Sequence, residues 1–254
     1  MRTIKLIIQY DGTNYCGWQE QANGRSIQET VEIALAKILG KRVRVQSSGR
    51  TDAGVHAVAM PAVFKTESEI PLKAFVHGIN CHLPEDIAIQ FAEEVPTGFK
   101  PIGGARSKTY RYTIYNSPVR SPLNRRTSWH LRVPLDLEAM IEASKYFIGE
   151  HDFAGFRGQN CSAVTSIRRI DSVIIKKDDP FIIIDVTGGG FLKYMVRIMV
   201  GTLVDIGRGK LETCQIKNLL EQPERANAGV TAPPQGLTLL YVQYPEKELI
   251  EKSV

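Results

Sequence analysis

The sequence is poor in cysteine, and none of it is arranged for a task. Cys16, Cys81, Cys161 and Cys214 are scattered through 254 residues without a C-x-x-C pair. That spacing gives no disulfide framework and predicts reduced thiols in a cytoplasmic protein. His77, Cys81 and His82 are close in sequence, but a fourth ligand at suitable spacing is missing, so no metal centre is expected. No apolar run approaches the ~18 residues of a membrane span. The opening Met1-Arg2-Thr3-Ile4-Lys5 leads into a strand pattern, without a signal-peptide core or cleavage site. Glycines 188–190 precede a helical pattern, yet no Gly-Lys-Ser/Thr follows to make a phosphate loop. Lys193 stands where a dinucleotide fold needs its third glycine, so the expected role of the triplet is tight packing of that helix. A Gly-x-Ser-x-Gly elbow, a zincin His pair, tandem repeats and low-complexity segments are also missing.

What is present is a chain of 43% hydrophobic residues, long enough for one large domain or two ordinary ones. Its net charge of +5 is compatible with a nucleic-acid partner without requiring one. The basic residues fall in groups: Lys41, Arg42 and Arg44; Lys108 and Arg111; Arg120, Arg125 and Arg126; Arg168 and Arg169; Lys193 and Arg197. Interspersed with Tyr110, Tyr112, Tyr115 and Trp129, they suit a surface that tracks phosphates and stacks bases. Any one group alone is also what a solvated face looks like.

Ile4, Leu6, Ile8 and Tyr10 alternate as a strand, ending at Asp11-Gly12-Thr13-Asn14. Ser26-Ile27-Gln28-Glu29 is a capping box, followed at helical spacing by Ile27, Val31, Ala34, Leu35, Ile38 and Leu39 and closed by Gly40. Strands are expected around Val43 to Gln46, Val58 to Phe64 and Asp86 to Phe91, with a helix from Pro71 to about Ile79. Pro96, Gly98, Pro101, Gly103 and Gly104 mark a linker, dividing the chain into residues 1–104 and 105–254. Beyond it, Lys108 to Tyr115 is a strand with Tyr110, Tyr112 and Ile114 on one face. A strand around Trp129 to Val133, a helix capped by Asp136 and strands at Ile167 to Ile175 and Phe181 to Val186 follow. Helices over about Leu192 to Ile206 and Leu211 to Leu220 and a strand from Gly236 to Tyr244 complete an α+β pattern with a mostly antiparallel sheet.

The stretch richest in chemistry is Gln46 to Ala57. Between two strand patterns it carries one guanidinium, Arg50, and one carboxylate, Asp52, bracketed by Gly49 and Gly54. A charged loop between apolar strands places both side chains at a sheet end, partly out of water, where a carboxylate can act as nucleophile or base. A surface turn with an Arg–Asp pair is the plainer alternative. Arg197 interrupts the apolar face of the late helix, and either snorkels to solvent or is buried and paired, with Asp52 a candidate partner. Tyr110 is either packing or a ring on which a base could stack.

The octapeptide Gly49-Arg50-Thr51-Asp52-Ala53-Gly54-Val55-His56 resembles the signature of the tRNA pseudouridine synthase A family, and the similarity covers nearly the whole chain. Tyr10-Asp11-Gly12 with Gly17-Trp18-Gln19, Lys108 to Tyr112, Asp152-Phe153 with Phe156-Arg157, and Met195-Val196-Arg197 match further family segments in order. The resemblance implies two α/β halves with mostly antiparallel sheets joined around a central basic cleft, and a homodimer. It also implies conversion of uridine to pseudouridine at positions 38, 39 and 40 of the tRNA anticodon stem-loop. That isomerisation breaks the base–sugar C–N bond and rejoins the turned base through carbon, so no cofactor and no metal are implied. Asp52 would be the catalytic carboxylate, and Arg50 would help extrude the target nucleotide from its stack. Tyr110 would stack on the flipped base, and Arg197 would pair with Asp52. The sequence departs from the family pattern at Lys100-Pro101-Ile102-Gly103, where His-Ala-Arg and an aromatic are common. It departs again at Lys193-Tyr194, where His or Asn is usual. Three other readings stand beside this one: an RNA-binding protein without chemistry, a nucleotide-dependent enzyme using the glycine triplet, and a pseudouridine synthase with a different target site.

Overall fold

The computed structural model describes residues 1–245. In chain order the first elements are β1 (Arg2–Tyr10), α1 (Ile27–Leu39), β2 (Gln46–Ser47), β3 (His56–Thr66), α2 (Leu72–Asn80) and β4 (Ile87–Val95). Then come β5 (Ser107–Asn116), β6 (Trp129–Leu131), α3 (Leu137–Ser144), β7 (Gly149–Asp152), β8 (Ile167–Asp178) and β9 (Phe181–Gly188). The last are α4 (Met195–Gly207), α5 (Gln215–Glu221) and β10 (Leu237–Gln243). The described residues form two compact units, one of Met1–Ser107 with the stretch from Leu239 onward and one of Lys108–Thr238. Most of β10 therefore lies with the first unit, a placement that a division at residue 104 does not contain.

In the first unit the strands run in the order β4-β1-β3-β10, with the short β2 on β3. β1 pairs antiparallel with both β3 and β4, and Ile4, Leu6 and Ile8 are fully buried, as their alternation predicts. α1 starts as its capping box requires: the Ser26 Oγ accepts the Glu29 N–H at 3.2 Å. It ends at Gly40 in the left-handed region, φ 70°. Its inner face carries Ile27, Val31 and Leu35, and Phe64 of β3 meets Phe75 of α2 edge-on at 5.5 Å. The Asn80 side chain holds Ile89 with two hydrogen bonds of 2.9 and 2.7 Å, joining α2 to β4. Tyr244 returns from the far end of the chain, its ring 4.9 Å from Phe99 and its hydroxyl donating to the Pro101 carbonyl at 2.8 Å.

The strand expected over Val43 to Gln46 is only Gln46–Ser47. The reason is side-chain competition for its backbone. Glu32 of α1, fully buried, accepts the Val45 N–H at 3.0 Å, and the Gln28 amide donates to the Val45 carbonyl at 2.8 Å. Arg42 binds the same Glu32 through Nε and Nη2, and Arg42 and Arg44 both reach Glu20. Much of this basic group's charge is thus engaged by its own carboxylates rather than left for a phosphate.

The second unit orders its strands β5-β9-β8-β7, all antiparallel, with β6 parallel on β5. Tyr110, Tyr112 and Ile114 share the buried face of β5, as expected. β7 was not expected: Gly149-Glu150-His151-Asp152 has no strand-like composition and becomes a strand by pairing with β8. Phe147, Phe153 and Phe156 form a buried cluster. Within the glycine triplet, Gly188 serves a strand rather than the following helix. A Cβ at Gly188 would sit 2.6 Å from the Arg169 carbonyl, so it allows β8 and β9 to close together, while α4 begins later, at Met195.

Candidate active site

The Asp52 loop joins the end of β2 to the start of β3, and its backbone is held from both sides. The Trp18 N–H donates to the Thr51 carbonyl and the Val55 N–H to the Asp52 carbonyl, each at 3.1 Å. The Thr51 hydroxyl lies 2.8 Å from the Tyr10 hydroxyl, where β1 shifts register beside β3. His56 Nδ1 accepts the Gly12 N–H at 3.1 Å and lies 3.1 Å from an Asp11 carboxylate oxygen. The two opening glycines leave no room for side chains. A Cβ at Gly12 would fall 2.0 Å from the Val55 carbonyl, and one at Gly17, φ 107°, would fall 2.6 Å from the Thr51 carbonyl.

The segment from Tyr10 to Trp18 therefore forms the wall against which Asp52 is fixed. Trp18 and Tyr10 are buried and their rings lie 6.2 Å apart. Tyr15 donates to the Asp86 carboxylate, and burial, reinforced by that bond, pushes its hydroxyl pKa above the usual value. Asp52 itself is half-buried, whereas Arg50 is exposed, so the two do not share the partly dry setting that the sequence suggests. The clamp residues Gly12, Gly17, Trp18 and His56 were not picked out as site residues by sequence reasoning. Glycines flanking an aromatic-rich loop were their signal.

In the second unit, Tyr110 is nearly buried and meets Phe191 edge-on at 5.2 Å. Two residues along β5, Tyr112 is fully buried and donates to the Pro233 carbonyl at 2.8 Å. Burial raises its pKa, partly offset by the positive charge of Arg197. Arg197 is half-buried on α4 among Met195, Val196, Ile198 and Met199. Its Nε donates to the Ala232 carbonyl at 2.7 Å, and its own carbonyl accepts the Ala232 N–H at 3.1 Å. This strap, residues 228–236, packs closely on the helix. A Cβ at Gly201 would sit 1.7 Å from the Val230 carbonyl, and the Gly229 N–H donates to the Thr202 hydroxyl at 3.0 Å. No local pattern announces this strap, because its partners lie some 30 residues upstream.

Of the remaining basic groups, Arg111 forms a two-pronged ion pair with Asp185, and Arg169 pairs with Asp171. Arg120, Arg125 and Arg126 are exposed on their loop. The four cysteines are free thiols. Among the described residues no three His, Cys, Asp or Glu side chains converge as metal ligands, and no helix is long and apolar enough to cross a membrane.

A sequence profile described as tRNA pseudouridine synthase matches residues 6–101 and 143–245. The protein named tRNA pseudouridine synthase A from Pelobacter propionicus is 60% identical over 244 residues, covering 96% of this chain and all of the relative. Proteins of the same name from Geotalea daltonii and Geotalea uraniireducens are 58% and 57% identical over 244 residues, again 96% of this chain and the whole of each relative. With matches of this extent spanning both the clamped carboxylate loop and the Arg197 helix, the chain belongs to the tRNA pseudouridine synthase family, isomerases that convert uridine to pseudouridine in tRNA.

Proposed function

We propose that the protein isomerises uridines 38, 39 and 40 of the tRNA anticodon stem-loop, with Asp52 as the catalytic carboxylate. The observation that most supports this reading is the restrained backbone on both sides of Asp52, with the carbonyls of Thr51 and Asp52 each held by an N–H. A carboxylate whose backbone does not move can be presented to a reacting sugar or base in one orientation. Arg50, exposed on the same loop, is assigned to extruding the target nucleotide and filling its place. Tyr110 is assigned to stacking on the flipped base, and Arg197 to pairing with the Asp52 carboxylate, keeping it ionised and oriented. The reading includes a homodimer and turnover without cofactor or metal, which rest on the family resemblance, and a cytoplasmic location, which rests on the scattered cysteines.

The test is release of tritium from C5 of labelled uridine in tRNA transcripts that carry uridine at one anticodon-stem position at a time. Wild-type protein releases the label without added cofactor, and Asp52→Asn does not, while still binding tRNA. Release confined to other tRNA positions would refute the site assignment. Unchanged release by Asp52→Asn would refute the role of the carboxylate. Sedimentation of the protein alone reads the dimer.

A further inference from the structure

We propose that Tyr194 is a positioning residue whose ring fixes the plane of the Arg197 guanidinium. The inference rests on the role assigned to Arg197 above. The Arg197 Cζ lies 4.8 Å from the centroid of the Tyr194 ring, while Nε donates to the Ala232 carbonyl. The hydrogen bond constrains the guanidinium edge and the ring attracts its positive charge, so two restraints of different kind act on one group. A guanidinium held this way meets a carboxylate with less orientational freedom to lose.

The ring is itself fixed. Tyr194 precedes α4 in the left-handed region, φ 63° and ψ 1°, and its carbonyl accepts the Ile198 N–H at 2.9 Å. That conformation is costly for a bulky residue and far cheaper for asparagine. A tyrosine here pays a backbone penalty that only its ring can repay. Gly158 provides the seat: a Cβ there would lie 2.5 Å from Tyr194 Cδ2 and 3.0 Å from Cγ. The seat is tied down by the Gly158 N–H to the Lys193 carbonyl at 2.8 Å and by Lys193 Nζ to the Gln159 carbonyl at 3.1 Å. Lys193 Nζ also lies 5.0 Å from the same ring. Lys193 and Tyr194 thus act together, one building the seat and the other contacting Arg197.

The experiment compares steady-state pseudouridine formation on a single-site transcript by wild type, Tyr194→Phe, Tyr194→Asn, Arg197→Lys and the double variant Tyr194→Asn/Arg197→Lys. Asparagine suits the backbone and removes the ring, so folding is preserved, which a thermal melt verifies. Tyr194→Phe keeps kcat within about twofold, because the ring remains, and Tyr194→Asn lowers kcat about tenfold with KM for tRNA little changed. The double variant is no slower than Arg197→Lys alone, because the ring acts through the guanidinium. Wild-type kcat in Tyr194→Asn, an equal loss in Tyr194→Phe, or additive losses in the double variant would each overturn the proposal. If Arg197→Lys itself keeps wild-type kcat, the assignment of Arg197 fails first, and any effect of Tyr194→Asn has another origin.

Discussion

Replacing Gly17 by alanine tests whether the opening loop holds the Asp52 loop in place. Two costs add. At φ 107° an L-residue is strained by roughly 1–3 kcal/mol. The new Cβ would also sit 2.6 Å from the Thr51 carbonyl and 3.1 Å from the Asp52 carbonyl carbon, both backbone atoms. Overpacking against backbone costs about 1–3 kcal/mol more, for a total near 4 kcal/mol. That is a large part of a typical domain's stability of about 5–15 kcal/mol, so the loop peels away from its partner or the first unit loses stability. Trp18, 2% exposed, follows Gly17 directly and reports on both. With Trp129→Phe removing the other tryptophan, urea titration of Trp18 fluorescence gives the midpoint, and tritium release gives turnover. Gly40→Ala is the control: its φ is 70° but its Cβ would meet nothing within 4 Å, so it loses only about 1 kcal/mol and no turnover. Wild-type midpoint and wild-type turnover in Gly17→Ala would refute the clamp.

Two further outcomes follow from packing elsewhere. Glu32→Ala leaves the Val45 N–H without its buried acceptor and the Gln28 amide with only the Val45 carbonyl, and lowers stability by about 2–3 kcal/mol in urea unfolding; Glu32→Gln, which retains an acceptor, loses about half as much. Gly201→Ala drives the strap carrying Val230 off α4 and with it the Ala232 carbonyl on Arg197; the melting temperature falls and kcat falls with it. Gly98→Ala, whose Cβ would meet nothing within 4 Å, changes neither.

Local signals in the sequence read well where local physics decides. The capping box at Ser26, the stop at Gly40, the one-faced tyrosines of β5 and the cap at Asp136 all depend on neighbours a few residues away. Readings failed where a distant partner overrode local pattern. Val43 and Val45 alternate like a strand, but α1 takes the Val45 backbone; β7 becomes a strand only because β8 offers an edge. The apolar run through Leu192 extends the helical pattern past the true start of α4, since nothing in it announces a left-handed Tyr194. The site divides in the same way. The octapeptide around Asp52 stands out through neighbours in sequence, whereas the wall from Tyr10 to Trp18 does not, because its contacts span some 40 residues.

The placement of β10 has a consequence for biosynthesis. β10 lies next to β3 in the first unit's strand order, and Tyr244 closes over Phe99, yet Lys108–Thr238 must be made between them. At about 5–20 residues per second this interval lasts on the order of ten seconds. The second unit, continuous in sequence, has all its residues only when this interval ends, and throughout it the part of the β3 edge that β2 leaves uncovered waits as a row of unpaired backbone donors and acceptors. A nascent chain stalled before Leu239 is therefore the form most exposed to aberrant strand pairing and to chaperone capture.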